Sequence, residues 1–304
     1  MGGAPLPPTM AGYGVRRETA RRRHRQPGEG RRHRRHSATT CQCLHRRAAL
    51  HTYDGGVTYY ERIGVRYSAT RRPDSRIADV IFSALGDAES VVNVGAGTGS
   101  YEPTDRRVVA VEPSRVMLAQ RAPGTAPAVQ AVAEGLPFPD DAFDAAMAVL
   151  TLHHWSDPIH GLAELRRVAS NRAVVLSIAP DSEQSFWLTA RYFPAIGAWD
   201  AAHFPPIEAI CSTLGGTAVV THVPIPSDCQ DGFLGAFWRR PHAYLDPDVQ
   251  DGISTFLLIG EEERRRGERL LAQDLENGEW QNRFGYLLEL DELDLGYRLV
   301  TGGL

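Results

Sequence analysis

The chain has 304 residues, of which 42% are hydrophobic and 23% charged, and it contains 29 Gly, 20 Pro and four Cys. This composition supports a sizeable core and excludes collagen-like, disulfide-scaffold and wholly disordered proteins. The net charge of −4 hides a basic segment of residues 1–50, with twelve Arg and two Glu, joined to an acidic body of 21 Arg and 35 acids. All 33 basic residues are Arg. Since this indicates codon bias in a GC-rich genome, Arg content alone is weak evidence for nucleic-acid binding.

The apolar runs are too short to cross a membrane, because a spanning helix needs roughly 18 to 20 apolar residues. The basic N-terminus is followed by no apolar block, which argues against a secretory signal. Four cysteines fit free thiols in a reducing compartment; they are Cys41, Cys43, Cys211 and Cys229. Cys41 and Cys43 lack a second pair at zinc spacing, so no metal site is predicted. We therefore expect a cytoplasmic protein without a membrane span.

Residues 1–50 contain no Phe, Trp or Ile and carry two dense Arg and His runs, at 21–25 and 31–36. Such a segment cannot bury enough apolar surface to offset the entropy of ordering, so it is predicted to be a disordered tail. Two alternatives remain open. The tail could be an arm that grips nucleic acid or another anionic surface, or the true start could lie downstream of Met1.

Order is expected to begin near residues 53–67, followed by a helix over 72–85. Beyond this point short β-branched runs alternate with helical segments. The predicted strands are 91–95, 108–112, 128–131, 145–150, 173–178 and 218–223, and the predicted helices between them are 114–121 and 159–168. Continuous apolar runs such as Val-Val-Asn-Val indicate a parallel sheet covered on both faces. Strand and helix in alternation predict a doubly wound α/β domain.

The pattern is less regular after Ile178. Residues 185–215 and 253–275 have helical spacing, and residues 287–300 could return to the sheet as a last strand. Aromatic residues here could line an apolar substrate chamber or pack in the core; they are Trp187, Tyr192, Trp199, His203, Phe204 and Trp238. We therefore divide the chain into the tail, 1–50, and one domain, 51–304. That domain comprises a core at 86–225, an N-terminal lid at 53–85 and helical insertions at about 181–215 and 226–284.

A glycine-rich turn follows the first predicted strand, in the run Val91–Ser100. Glycine lets the backbone turn sharply and lets a ligand approach the main chain. In an open α/β sheet this turn lies at the carboxyl edge, where the ligand crevice forms. Gly95, Gly97 and Gly99 give the spacing GxGxG, whereas the dinucleotide pattern GxGxxG needs glycine at the position of Ser100. A pyrophosphate site is therefore disfavoured.

An acidic residue, Glu112, ends the second predicted strand. A carboxylate at this place can accept hydrogen bonds from both hydroxyls of a ribose. The alternative is that Glu112 caps the following helix, although Ser114 is already a good candidate for that cap. With the glycine turn before it, Glu112 favours ribose binding.

Four motifs in this order resemble the class I S-adenosylmethionine-dependent methyltransferases, in particular their small-molecule branch with the quinone-biosynthesis enzymes (type 11). The motifs are residues 93–99, 111–114, 133–144 and 150–158. The resemblance covers about residues 53–180 and implies a mostly parallel, Rossmann-like sheet of seven strands with a helical lid, and S-adenosylmethionine as cofactor.

The resemblance also implies a set of cofactor-binding residues. It assigns the turn to the methionine moiety, Glu112 to the ribose, the Ala133-Glu134 pair to the adenine edge, and a lid tyrosine to the cofactor carboxylate. Tyr60 and Tyr67 are candidates for that tyrosine, and both could equally pack in a helix. The full set is Tyr67, Asn93, Gly95, Ala96, Gly97, Gly99, Glu112, Pro113, Ala133, Glu134 and Leu150.

Three features depart from the family pattern. Asn93 stands where relatives usually carry Asp or Glu, and its amide can still accept a hydrogen bond through the carbonyl oxygen. Val132 stands where relatives often have Asp, so Glu134 or a main-chain carbonyl must accept from the adenine amino group. The stretch between Gly99 and Val108 is short, so the first crossover helix is expected to be a single turn.

His153 and His154 follow the fourth predicted strand and are the candidate catalytic residues. A neutral imidazole could take a proton from a phenol, enol or amine as the methyl group is transferred. Alternatively the histidines brace the loop, because transfer from a sulfonium can need only alignment and desolvation. Trp155 is expected to pack, and Asp140, Asp141 and Asp144 are expected to be turn residues.

These observations predict in-line methyl transfer from S-adenosylmethionine to an oxygen, nitrogen or carbon atom of a small organic acceptor, without a metal. Two alternatives stay open. One is an RNA or DNA methyltransferase that uses the basic tail, although the acidic body and the Thr151–His154 loop favour a small acceptor over nucleic acid. The other is a non-catalytic nucleoside-binding protein. Neither the acceptor nor the oligomeric state follows from the sequence.

Overall fold

The computed structural model describes residues 71–179, 186–215 and 217–303. The predicted tail, residues 1–50, lies outside this part of the chain, as do Tyr60 and Tyr67 of the predicted lid. The disorder of the tail and the cofactor role of Tyr67 therefore remain predictions.

A seven-stranded sheet organises the described residues, in the order β3-β2-β1-β4-β5-β9-β6. Strands β1 to β5 are parallel, whereas β9 runs antiparallel between β5 and β6. A separate two-stranded antiparallel sheet pairs β7 with β8. The strands are β1 (Ser90–Val94), β2 (Arg107–Val111), β3 (Ala128–Val129), β4 (Phe143–Val149), β5 (Ala169–Ile178), β6 (Val219–His222), β7 (Ile225–Pro226), β8 (Glu292–Leu293) and β9 (Tyr297–Gly303). This architecture confirms the doubly wound, mostly parallel α/β sheet.

Both faces of the sheet are covered. Val91 pairs with Val108 and Ala145 in register and faces one apolar cluster, whereas Val92 and Ala146 face the other. The side chains alternate between two buried faces because the strand period is two residues. Burying a valine contributes roughly 1.5–3 kcal/mol, so the continuous apolar runs stabilise the central strands from both sides.

Helices cover the sheet. Asp74 caps the start of helix α1 (Ser75–Leu85), where its carboxylate accepts from the Arg76 N–H, and Asp157 caps the start of helix α3 (Pro158–Val168), where its carboxylate accepts from the His160 N–H. These caps satisfy backbone donors that a helix start leaves unpaired. The helices are α1 (Ser75–Leu85), α2 (Arg115–Ala119), α3 (Pro158–Val168), α4 (Pro194–His203), α5 (Ile207–Leu214), α6 (Pro247–Asp251), α7 (Ser254–Leu258), α8 (Glu261–Glu276) and α9 (Glu279–Phe284).

Three sequence predictions are corrected by the structure. The crossover between Gly99 and β2 contains turns and bends but no helical turn, because few residues are available and Tyr101 takes a left-handed φ of 58°. The predicted helix over 253–275 is broken at Gly260, where φ is 82°, into α7 and α8. The last strand begins at Tyr297 and not near Leu287, because Gly296 turns the chain with a φ of 88°.

Within the described ranges, no helix is long and apolar enough to cross a membrane. Cys211 and Cys229 carry free thiols, in line with the expectation for these two residues. Cys41 and Cys43 lie outside the described residues.

Gly267 brings the charged helix α8 into close contact with the core. A Cβ atom at this position would lie 2.3 Å from a ring carbon of Phe193 and 2.6 Å from the Tyr192 carbonyl oxygen. We expect Gly267→Ala to lower the free energy of unfolding by about 1–3 kcal/mol, because overpacking outweighs the gain in helix propensity. Urea unfolding of the purified variant measures this.

Gly197 in α4 is the matched control, since a Cβ atom there would meet Thr189 at an ordinary 3.6 Å. Gly197→Ala should leave the free energy of unfolding unchanged or raise it by up to about 1 kcal/mol. Equal stability changes in the two variants would contradict the close packing of α8.

Candidate active site

The glycine turn lies at the carboxyl end of β1. Gly95, Gly97 and Gly99 have φ angles of 74°, 53° and 101°. Residues with a Cβ atom rarely adopt such positive φ angles. A Cβ atom on Gly95 would lie 2.1 Å from the Thr151 Oγ1 atom, so the loop after β4 needs glycine at this place. The N–H groups of Gly95 and Ala96 donate to the Val111 carbonyl oxygen at 2.9 and 3.0 Å, which fixes the turn against the end of β2.

Glu112 joins the glycine turn to the loop after β2. One carboxylate oxygen accepts from the Gly97 N–H at 2.9 Å and the other from the Ser114 N–H at 2.8 Å. The Ser114 hydroxyl in turn accepts from the Met117 N–H and caps α2. Burial raises the pKa of Glu112, and the two backbone donors oppose that shift. Because each carboxylate oxygen has two lone pairs, Glu112 keeps an acceptor position on each oxygen for a vicinal diol.

A cleft of about 1010 Å³, counting space open to solvent, lies above this turn. Nine of the predicted cofactor residues line it; they are Asn93, Gly95, Ala96, Gly97, Glu112, Pro113, Ala133, Glu134 and Leu150. Gly99 does not line this cleft; a Cβ atom at this position would face Glu102 and Arg121 instead. Tyr67 lies outside the described residues.

Asn93 is held by a buried ion pair that the sequence did not reveal. Its Nδ2 atom donates to the Glu102 Oε1 atom at 3.3 Å, and Glu102 pairs with Arg121 at 2.7 Å. The two charged side chains are 7% and 6% exposed. This chain therefore places a carboxylate next to position 93 from another element, and an amide at position 93 avoids a clash of two like charges.

Glu134 is hydrogen-bonded to the loop that precedes α3. One carboxylate oxygen accepts from the Ser156 hydroxyl and the Asp157 N–H, both at 2.9 Å. Val132 also lines the cleft and is 46% exposed. Trp155 packs on α3, where a Cβ on Gly161 would lie 2.4 Å from its ring, as expected for a packing residue.

A second cleft of about 510 Å³ adjoins the first and shares Arg71, Leu150 and His154 with it. Its other lining residues are His153, Ile178, Asp200, Phe204, Phe233, Leu234, Gly252, Ile253, Ser254, Thr255 and Tyr297. Most of these residues are apolar, and they come from segments far apart in the chain. The two clefts are therefore adjacent, with Arg71, Leu150 and His154 at their boundary.

Most of the aromatic residues predicted for a substrate chamber do not line the second cleft. Phe204 lines the second cleft, but Trp187, Tyr192 and Trp238 are core residues whose polar atoms are bonded within the fold. Trp199 stacks on His203 with ring centroids 3.9 Å apart. Spacing along a helix could not separate the one residue that faces the cleft from those that face the core.

His153 and His154 form a short 3₁₀ turn after β4. Their ring centroids are 3.7 Å apart, and His153 packs against Phe204 at 4.4 Å. Burial, together with the charge of Arg71, lowers the pKa of His154 to about 3, and burial lowers the pKa of His153 well below 6.5. Both imidazoles are therefore neutral at pH 7.

Arg71 links both clefts to a buried polar network that the sequence analysis missed. Its guanidinium donates to both oxygens of Asp231, at 2.7 and 3.3 Å, and Asp231 also accepts from the Tyr101 hydroxyl at 2.8 Å. Asp74 joins the network because its N–H donates to the Tyr101 hydroxyl. Arg71 and Asp231 are 160 positions apart, so no local motif indicates their pairing.

Comparison with known proteins agrees with this geometry. Residues 92–176 match the family model "Methyltransferase domain". The crystal structure of the "Putative methyltransferase from antibiotic biosynthesis pathway" of Anabaena variabilis is 32% identical, covering 77% of this chain and 99% of that one, with a TM-score of 0.71. The chain belongs to the class I S-adenosylmethionine-dependent methyltransferases, and S-adenosylmethionine is its cofactor.

Curated relatives are more distant. The chloroplastic 2-methyl-6-phytyl-1,4-hydroquinone methyltransferase 2 of Oryza sativa subsp. japonica is 29% identical over 153 residues, 44% of this chain and 43% of that protein. The tRNA (carboxymethyluridine(34)-5-O)-methyltransferase of Schizosaccharomyces pombe is 25% identical over 134 residues, 43% of this chain and 55% of that protein. The chain thus spans only about half the length of the curated relatives it matches.

The Glu102–Arg121 ion pair next to Asn93 predicts the effect of placing an acid at position 93, where relatives usually carry Asp or Glu. We expect Asn93→Asp to raise the Kd for S-adenosylmethionine at least tenfold, because it brings a second carboxylate next to the Glu102 Oε1 atom. Isothermal titration calorimetry measures the Kd.

The control shifts the negative charge from position 102 to position 93, so the total number of carboxylates stays the same. In the double variant Asn93→Asp, Glu102→Gln, the Kd should return to within about threefold of the original value, because the like-charge contact is gone. Tighter binding of S-adenosylmethionine by Asn93→Asp alone would show that Glu102 does not restrict this position.

Proposed function

We propose that the chain transfers the methyl group of S-adenosylmethionine to an oxygen, nitrogen or carbon atom of a small organic acceptor bound in the second cleft. The observation that carries this proposal is the junction of the two clefts. Arg71, Leu150 and His154 line both of them. A donor in the first cleft and an acceptor in the second would meet beside these three residues.

The residues around the first cleft suit the cofactor. The glycine turn gives the methionine moiety access to the main chain, and Glu112 offers acceptors to the ribose hydroxyls. When bound, S-adenosylmethionine supplies an electrophilic methyl group on a sulfonium. The chain's own contribution is to align the acceptor with that group and to exclude water with apolar walls such as Leu150 and Phe204.

The histidines fit a role in orienting the acceptor better than a role as general base. Because the pKa of His154 is about 3, its imidazole holds a proton poorly at pH 7, and the pKa of His153 is lowered as well. A neutral imidazole at the junction can still donate or accept a hydrogen bond. We assign His154 this positioning task, and the proton of a hydroxyl or amine acceptor leaves to solvent after transfer.

The size and character of the second cleft favour a small acceptor over a nucleic acid. It is mostly apolar, and Arg71, which lines it, is paired with Asp231. The rice relative acts on a hydroquinone by name, which suits an apolar cleft with a few polar groups. The yeast tRNA enzyme keeps RNA open as an alternative acceptor. The free thiols of Cys211 and Cys229 accord with the cytoplasm as the place of action.

Labelled cofactor tests the acceptor class. Incubation with methyl-labelled S-adenosylmethionine and fractionated cell extract should place the label in a small-molecule product identified by mass spectrometry. Label found only in the RNA fraction would overturn the proposal.

Filling the second cleft gives a sharper test. Leu234 lines this cleft and is 8% exposed, so Leu234→Trp should abolish methyl transfer while calorimetry shows unchanged S-adenosylmethionine binding. The control Val219→Trp adds the same side chain on the edge strand β6, where Val219 is 61% exposed, and should retain transfer. Full activity of Leu234→Trp would place the acceptor elsewhere.

The low histidine pKa predicts a flat pH profile. With a pKa of about 3, His154 is deprotonated throughout pH 5–8, so kcat/KM for an acceptor that does not titrate there should change by less than about twofold. Steady-state assays across this range measure it. An inflection near pH 6.5 that His154→Gln removes would restore the histidine as a general base.

A further inference from the structure

Arg71 brings a positive charge to the junction of the two clefts. It lines both of them, together with Leu150 and His154. Its charge reaches these neighbours, because after burial it is the strongest influence that lowers the pKa of His154. Both His153 and His154 are neutral at pH 7. Among the described residues that line the two clefts, Arg71 is therefore the one cation.

Asp231 offsets this charge from a position outside the clefts. The Arg71 Nε and Nη2 atoms donate to the two Asp231 carboxylate oxygens at 2.7 and 3.3 Å. The Asp231 side chain is 0% exposed, whereas that of Arg71 is 11% exposed. Asp231 lines neither of the two clefts. A ligand at the junction therefore meets Arg71 first, and the compensating negative charge lies behind it.

Two further donors hold the Asp231 carboxylate in place. The Tyr101 hydroxyl donates to one oxygen at 2.8 Å, and the Gly232 N–H donates to the other at 2.7 Å. The Tyr101 hydroxyl in turn accepts from the Asp74 N–H at 3.4 Å. These bonds do not involve Arg71, so the carboxylate keeps hydrogen-bond donors when Arg71 is replaced. Charges fixed in this way act on a bound ligand without reorganising.

The cofactor changes its charge at the atom that reacts. In methyl transfer a lone pair of the acceptor forms a bond to the methyl carbon, and the electron pair of the broken carbon–sulfur bond stays on sulfur. A sulfonium with one positive charge thus becomes an uncharged thioether. A cation beside the sulfur disfavours the sulfonium and leaves the thioether nearly unaffected, whereas an anion favours the sulfonium.

We infer that Arg71 and Asp231 together set the preference of the site between S-adenosylmethionine and S-adenosylhomocysteine. Arg71 disfavours the charged sulfonium, and Asp231 limits that repulsion so that the cofactor binds before transfer. Asp231 acts through Arg71 and is a positioning residue. This inference rests on the proposed function, because that function places the reacting sulfur at the junction. It goes further by assigning two residues to the charge of that sulfur.

Calorimetric titrations of the full chain at pH 7, without an acceptor, test this assignment. The readout is the Kd for S-adenosylmethionine divided by the Kd for S-adenosylhomocysteine. At a separation of about 10 Å, one unit charge inside a protein changes a Kd by roughly tenfold. In Asp231→Asn the ratio should therefore rise at least fivefold, because the Arg71 charge is no longer offset. In Arg71→Gln it should fall at least fivefold, because the Asp231 charge remains.

Two further variants separate this local effect from loss of stability. The double variant Arg71→Gln, Asp231→Asn removes both charges and should return the ratio to within about twofold of the original value. Asp274 is a matched control, because its carboxylate accepts from Arg191 Nε at 2.8 Å and from the Tyr192 hydroxyl at 2.9 Å but lines neither cleft. Asp274→Asn should leave the ratio within about twofold of the original, even where the Tm falls.

Sinefungin separates charge from size. It carries an ammonium group where S-adenosylmethionine carries the methylated sulfur, so its affinity should follow that of S-adenosylmethionine in every variant. If Asp231→Asn does not fold, Arg71→Gln and the double variant carry the test, since their predicted ratios differ at least fivefold. Sinefungin that follows S-adenosylhomocysteine instead would show that charge is not what the two residues sense.

Two other outcomes would overturn the inference. Equal weakening of both ligands in Arg71→Gln, with an unchanged ratio, would assign Arg71 to a part that the two ligands share, such as their carboxylate. A ratio that Asp274→Asn shifts as far as Asp231→Asn would show that the effect does not depend on the junction. These outcomes leave the proposed methyl transfer intact, whereas failure of that proposal would show as label confined to RNA.

Discussion

The carboxylate of Glu112 accepts one hydrogen bond from each side of the candidate cofactor site. One oxygen holds the Gly97 N–H of the turn after β1, and the other holds the Ser114 N–H at the start of α2. These bonds fix the spacing between two neighbouring strand ends, and the cleft above them depends on that spacing. The group is costly to bury, as its raised pKa indicates. The fold accepts this cost at the cleft where we propose that the cofactor ribose binds.

Sequence reasoning predicted the sheet well because its determinants are local. Runs such as 91–94 and 108–111 are apolar at every position or nearly so, and both faces of the sheet bury them. Boundaries were less accurate where one residue decides them. Gly260 breaks a helical pattern that continues in composition, and Gly296 delays the last strand by several residues. Apolar spacing does not report a backbone φ angle, so these two breaks required the structure.

The same distinction between local and long-range determinants applies to the residues of the candidate site. Nine of the eleven predicted cofactor residues line the first cleft, because they belong to short motifs beside strand ends. Arg71 and Asp231, the ion pair behind Asn93, and most of the second cleft were missed, because their contacts join residues far apart in the chain. His153 and His154 were candidates from the sequence, and their catalytic role stays a prediction; their low pKa values come from burial in the tertiary structure. The role of Tyr67 stays a prediction.

The position of β9 has a consequence for how the molecule folds. Residues 297–303 insert between β5 and β6, and in the described sheet β6 pairs with β9 alone. On the ribosome, the edge of β5 stays unpaired until more than 100 further residues have emerged, so closing the sheet requires a contact of long sequence separation. Tyr297 also lines the second cleft. A nascent chain can therefore assemble the first cleft early, while the second cleft takes shape only with the final strand.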